Sequence, residues 1–172
     1  LEACHVMLLG AGEMGELTAQ YLVDADVASL RVANRTLARA QELAARFSGQ
    51  AVDFNNLANQ LAETDIVISS TSAPGFILTP PMLSQAMSQR RGRPIFLIDI
   101  AVPRDIDPAV RDIDNVFLFD IDDLQQVVAS NRQEREREIA KVQLIIEDEL
   151  RDFQHWFNAL GAGPLIRDLR QR

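Results

Sequence analysis

A short apolar run, Val6-Met7-Leu8-Leu9, leads directly into Gly10-Ala11-Gly12-Glu13-Met14-Gly15, and the residues that follow repeat at helical spacing. A strand that ends in GxGxxG and reopens as a helix leaves a chain few ways to fold. Gly10 permits the tight turn, Gly12 lets backbone come close to a bound group, and Gly15 lets helix and strand pack closely. The first N–H groups of the helix face that turn and suit an anion such as a pyrophosphate. GxGxxG alone is weak evidence, because a purely structural turn reads the same way. Its weight here comes from the strand before it and the helix after it.

The next hundred residues extend the pattern. Continuous apolar runs rich in β-branched residues predict strands at His5–Leu9, Ser29–Ala33, Ala51–Asp53, Ile66–Ser70, Ile95–Ile100 and Val116–Phe119. Such runs are how strands buried on both faces of a parallel sheet read. Between them, amphipathic stretches predict helices near Met14–Asp24, Leu37–Phe47, Leu57–Ala62 and Pro80–Gln89. Thr36, Thr79 and Asp107 stand where capping side chains are expected, with proline following the last two. The expected fold class is therefore α/β, a Rossmann-type, doubly wound, mostly parallel sheet over residues 1–120.

From Asp122 the period changes. Ile139, Val142, Ile146, Leu150, Phe153, Phe157 and Leu160 recur in steps of three and four, which predicts one long helix over 121–160. Its earlier part, Ser130 to Glu138, is almost wholly polar, as in a solvated stretch between two bodies. Gly161-Ala162-Gly163-Pro164 reads as a connector, and 161–172 as the start of a further helical domain.

In a parallel sheet ligands bind at the carboxyl ends of the strands, so the residues there carry the functional reading. Ala33-Asn34-Arg35-Thr36 ends the second strand, with Arg35 about 20 residues after Gly15, where an NAD-preferring domain places an Asp or Glu on the ribose. A guanidinium can bind a ribose 2′-phosphate with two parallel hydrogen bonds, which favours NADP. Arg35 could equally be a solvated helix-start residue, with Thr36 merely a cap. Thr71 and Ser72 after the fourth strand, and Ile100 and Ala101 after the fifth, are candidates for the nicotinamide half, although hydroxyl residues also simply make turns. The candidate cofactor residues are thus Gly10, Ala11, Gly12, Glu13, Met14, Gly15, Asn34, Arg35, Thr36, Thr71, Ser72, Ile100 and Ala101.

Other chemistry is sparse. Cys4 and His5 precede the glycine turn by the length of a strand, roughly 16 Å at ~3.3 Å per residue, too far for a nucleophile and base. His155 beside Trp156 reads as a surface or interface residue. No pair of potential ligands has metal-binding spacing, so no metal is expected. With 17 Lys+Arg against 25 Asp+Glu the net charge is −8, and no basic run exceeds two residues, so the chain has no footprint for a nucleic-acid backbone. No apolar run approaches the ~18 residues of a membrane span, and neither a signal-peptide pattern nor a cysteine pair is present, which points to the cytoplasm.

Taken together, Gly10–Leu17, Ala33-Asn34-Arg35-Thr36, Ile66–Thr71, Arg91-Gly92-Arg93-Pro94, Asp99-Ile100-Ala101-Val102-Pro103-Arg104-Asp105 and Asp120-Ile121-Asp122-Asp123-Leu124 resemble the NADPH-binding domain of the glutamyl-tRNA reductase family with the linker, or spinal, helix that follows it. The first two segments also occur in shikimate dehydrogenase-like proteins. The resemblance implies NADPH as cofactor and a V-shaped homodimer joined along the spinal helix. It also implies an N-terminal cysteine that takes glutamate from glutamyl-tRNA as a thioester. That thioester is reduced to glutamate-1-semialdehyde in the first step of five-carbon tetrapyrrole synthesis. Since Leu1 stands four residues before the first strand, the catalytic domain is expected to lie outside these 172 residues; no catalytic residue is then expected in them, glutamyl-tRNA would be met only through the missing domain, and the chain alone would bind NADPH without turnover. Self-association through the apolar stripe of the long helix is a further expectation. Two other readings stay open: a shikimate dehydrogenase-like oxidoreductase fragment, and a non-catalytic interaction module on the same fold.

Overall fold

The computed structural model describes the backbone of residues 1–170 and the side chains of most residues up to 157. It divides into two units, Leu1–Leu124 and Gln125–Arg172. The first is a sheet of six strands: β1 (His5–Leu9), β2 (Ser29–Asn34), β3 (Gln50–Asp53), β4 (Ile66–Ser69), β5 (Ile95–Asp99) and β6 (Val116–Asp120). All five pairings are parallel and the order is β3-β2-β1-β4-β5-β6, so the sheet is wound in two halves outward from β1 and β4. The connections are α1 (Glu13–Asp24), α2 (Leu37–Arg46), α3 (Leu57–Leu61), α4 (Pro80–Gln89) and two 3₁₀ turns, Phe54–Asn56 and Pro108–Asp112.

Period-two alternation sorts the strand residues onto two cores. Met7 and Leu9 join Leu57, Leu61, Leu83, Leu97 and Val116 on one face, while Val6 and Leu8 join Ala19, Leu22, Val32 and Leu43 on the other. Met7, Leu8 and Leu9 are wholly buried, each contributing about 1.5–3 kcal/mol relative to an exposed side chain. The second face is less completely covered towards β6, where Phe96 and Phe117 stack at 5.2 Å between centroids and stay partly exposed.

Below the sheet's amino edge sits a buried cation. Arg90, at the end of α4, is 1% exposed. Its guanidinium donates to the carbonyls of Leu61, Ala62 and Thr64 ahead of β4, and to those of Arg93 and Pro94 ahead of β5. Asp65 pairs with it at 3.6 Å. Burial, with the neighbouring Arg93 charge, pushes its pKa below the ordinary arginine value. A planar group with five donors can satisfy so many carbonyls, which a lysine ammonium cannot.

Three sequence expectations change. Thr36 and Thr79 occupy N-cap positions but their hydroxyls make no capping bond; the Thr36 carbonyl accepts from Arg39 and Ala40 instead. Residue type sets the capping preference, not the rotamer. Asp107 does cap, accepting from Ala109 N, but over a 3₁₀ turn. The third change is α5, which runs from Ile121 to Arg170 without a break at Gly161–Pro164. Two glycines at about 1 kcal/mol each and one proline that removes a single hydrogen bond weaken a long helix locally without ending it. Residues 171–172 lie outside the described residues.

The start of α5 is fastened in both directions. Asp120 Oδ1 accepts from Asp122 N and Asp123 N, and Asp123 Oδ2 accepts from Asp120 N. This is a reciprocal cap of the capping-box kind. The bond from Asp123 N, then the Arg104 and Arg111 guanidinium groups, hold the Asp120 carboxyl below the ordinary aspartate range. Further along α5, Ile139, Val142, Ile146, Leu150, Phe153 and Phe157 form an exposed stripe, and His155 is exposed beside them. Leu160 lies outside the described side chains.

Candidate functional site

A cavity of about 740 Å³ opens at the carboxyl ends of β1, β2 and β4. Its floor is the glycine turn. Gly10 has φ +105°, and a Cβ there would stand 2.8 Å from the Ser70 carbonyl, so only glycine lets β1 and β4 close against each other at this point. Bonds from Gly10 N to Ala33 O and from Ser70 N to Leu9 O tie the turn to both neighbouring strands. Gly12 is the N-cap of α1, and a Cβ there would meet nothing within 4 Å. Gly15 is buried, and its Cβ would stand 2.7 Å from the Gly10 carbonyl. The first-turn N–H groups of α1 have no intrahelical acceptor, leaving donors beside a turn lined by Gly10, Ala11, Gly12, Glu13 and Met14.

The second wall comes from the end of β2 and the start of α2. Asn34 holds the turn by donating to Thr36 O at 3.0 Å, and Arg35 lines the cavity. Arg39, one turn further along α2, lines it too, as does Phe54 after β3. Among the described residues neither Arg35 nor Arg39 makes a salt bridge. Its place in the first turn of the helix that follows Arg35 could have revealed Arg39; Phe54 had no sequence signal.

The third wall is Ser70–Ile77 after β4, including the expected Thr71 and Ser72. The Ser70 hydroxyl oxygen is buried with no partner among the described residues. Thr71 Oγ1 donates to Asp105 at 2.5 Å and accepts from Ala73 N at 3.1 Å, and Thr71 N also donates to Asp105, so both its hydroxyl proton and its N–H are engaged within the protein. Of the other candidates, Gly15 and Thr36 do not line the cavity, and neither do Ile100 and Ala101 at the end of β5. Ile100 N instead continues the ladder to Ser69 O, and Ala101 N bonds Asp99 at 3.1 Å.

Ser69, Asp99 and Asp120 form the last paired row of β4, β5 and β6, and all three are buried. Asp99 Oδ2 accepts from Asp105 N and Ile106 N. Burial pushes its pKa above the ordinary aspartate value despite those bonds. Cys4 and His5 stand at the opposite, amino edge, where His5 Nδ1 bonds Ser29 Oγ at 2.8 Å. Among the described residues no cluster of three or more His, Cys, Asp or Glu could hold a metal, and no helix is long and apolar enough to cross a membrane.

Comparison with known proteins agrees with this architecture. Residues 1–127 match the family described as shikimate / quinate 5-dehydrogenase, and residues 141–172 match the glutamyl-tRNAGlu reductase dimerisation domain. Over all 172 residues the chain is 48% identical to the glutamyl-tRNA reductase of Bacillus subtilis (strain 168), spanning 38% of that protein's length. It superposes on the solved glutamyl-tRNA reductase of Methanopyrus kandleri with a TM-score of 0.75 and 40% identity, covering 99% of this chain and 43% of that one. A nucleotide binding domain of the Thermoplasma volcanium glutamyl-tRNA reductase shares the fold at a TM-score of 0.59 and 20% identity, over 77% of this chain and 86% of that one. The chain belongs to the shikimate / quinate 5-dehydrogenase family, whose model covers residues 1–127, and it spans less than half the length of the Bacillus subtilis and Methanopyrus kandleri glutamyl-tRNA reductases it is similar to.

Proposed function

We propose that this chain is the NADPH-binding part of a glutamyl-tRNA reductase, supplying the reductant site for conversion of an enzyme-bound glutamyl thioester to glutamate-1-semialdehyde. The observation that carries the reading is the pair of guanidinium groups, Arg35 and Arg39, which make no salt bridge among the described residues, on the wall of a cavity floored by the glycine turn. The residues fit the cofactor. The α1 N-terminus and the open side of Gly12 suit a pyrophosphate, Arg35 and Arg39 suit a 2′-phosphate, and Phe54 offers an apolar face to the adenine. The partnerless Ser70 hydroxyl supplies a polar contact inside the cavity. When bound, NADPH supplies a hydride; the protein's part is to bind it, orient it and keep water from it. The thioester cysteine belongs to the rest of the longer protein, since Cys4 lies at the wrong edge of the sheet. Homodimerisation of that protein is supported by the match at residues 141–172 and by the exposed stripe on α5.

The test is a fluorescence titration with NADPH and NADH. NADPH binds more tightly, and Arg35→Ala removes most of the preference, about 10- to 150-fold for a contact of roughly 1.5–3 kcal/mol. Equal affinity for the two nucleotides in the unmutated chain rules the assignment out.

A further inference from the structure

Asp105 is fully buried and lines no part of the cavity, yet it holds both ends of the segment that does. At the near end its carboxylate accepts from Ser69 Oγ at 2.5 Å, Thr71 N at 2.8 Å and Thr71 Oγ1 at 2.5 Å. At the far end its main-chain carbonyl accepts from Ile77 N at 2.6 Å and Leu78 N at 3.1 Å. Asp105 is itself held from behind, its own N–H donating to Asp99 Oδ2 at 3.0 Å. Ser70–Ile77 is thus a loop closed at its base by one residue, 28 or more positions away in sequence from either end.

We infer that Asp105 is a positioning residue for the Ser70–Ile77 loop, setting where that wall meets the nicotinamide half of the cofactor. The inference rests on the cavity being the NADPH site. The carboxylate accepts the hydrogen bond of the Thr71 hydroxyl, whose oxygen in turn accepts from Ala73 N, so the turn at Thr71–Ala73 is built outward from Asp105. A carboxylate can accept all three bonds at once. An amide cannot, because one of its two terminal atoms only donates. Asp105→Asn therefore loosens the near end while the carbonyl grip on Ile77 and Leu78 stays. The Arg35, Arg39 and glycine-turn walls are untouched by the change.

Those walls allow a positioning role to be separated from a merely structural one. 2′,5′-ADP carries the adenine, the 2′-phosphate and one 5′-phosphate but no nicotinamide, so it needs only the untouched walls. By isothermal titration, Asp105→Asn is expected to weaken NADPH at least ten-fold and to leave 2′,5′-ADP within about two-fold of the unmutated chain. Thr71→Val, which removes one of the three bonds to Asp105 and the Ala73 N–H bond built on it without altering Asp105, is expected to show the same split and decides the question if Asp105→Asn does not fold. Parallel loss of both ligands, or unchanged NADPH affinity, overturns the inference while leaving the cavity's identity standing. An unmutated chain that binds neither ligand overturns the reading of the cavity and this inference together.

Discussion

Gly15→Val and Gly12→Val part ways in both stability and binding, although the two glycines stand three residues apart in one motif. At Gly15 the new Cβ meets the Gly10 carbonyl at 2.7 Å, with Leu8 Cδ2 behind it at 3.7 Å, and the main chain it strikes is the turn that joins β1 to α1. Overpacking a tight site costs about 1–3 kcal/mol, and more where backbone rather than a side chain must give way. That is a large share of the 5–15 kcal/mol typical of a domain. At Gly12 the backbone is extended, with φ −95° and ψ −172°, and the added atoms enter open space. Gly12→Val is expected to keep its denaturation midpoint close to the unmutated value and to lose NADPH affinity by a hundred-fold or more, because the isopropyl group fills the approach to the first turn of α1. Urea denaturation followed by circular dichroism, run beside the nucleotide titration, checks both halves. Equal destabilisation by the two valines would contradict the separate roles assigned to them.

Arg90→Met is expected to be the most damaging single change to the fold. Methionine matches much of the side-chain volume but donates nothing, so the carbonyls of Leu61, Ala62, Thr64, Arg93 and Pro94 lose a shared donor and Asp65 loses a cation. Stranding buried polar groups in this way costs on the order of 3–5 kcal/mol. Arg90→Lys should recover little of it, since one ammonium cannot span carbonyls on two separate segments. Because Arg90 lies at the amino edge, away from the cavity, whatever fraction of Arg90→Met remains folded should bind nucleotide normally. A loss of stability under 1 kcal/mol by chemical denaturation would show that water replaces the guanidinium, and the role given to it would fall.

Arg90 also shows where reading a sequence stops. The sheet was legible because each parallel strand advertises itself locally, as in Val6–Leu9 and Ile66–Ser69, and the glycine turn marks the switch point in the sequence itself. The place of Arg35 on the cavity wall was legible because its distance from Gly15 is set by one strand–helix–strand unit. Arg90 and Asp105 act across 26 to 36 residues, through carbonyls and hydroxyls that every sequence contains, and no local pattern distinguishes them from solvated charges. Thr36 and Thr79 illustrate the opposite error: a local rule named the right positions, and the tertiary structure left their hydroxyls unused. The run of helix through Gly161–Pro164 has the same lesson, since breakers act by cost, not by prohibition.

The strand order carries a kinetic consequence. β1 finds β2 across 24 residues but β4 across about 60, the span also closed by the bond from His5 N to Asp65. Local pairing is entropically cheaper and faster, so β1-α1-β2-α2-β3 can assemble before the β4–β6 half docks on it. The cavity lies on the seam between those halves, with Gly10 against Ser70, so it comes into being only at docking and vanishes at the first separation. A nucleotide seated there has no site in the docking transition state until the seam has closed. It therefore lengthens the lifetime of the folded chain and leaves the rate of folding as it was, an asymmetry that stopped-flow unfolding and refolding with and without NADPH would display directly.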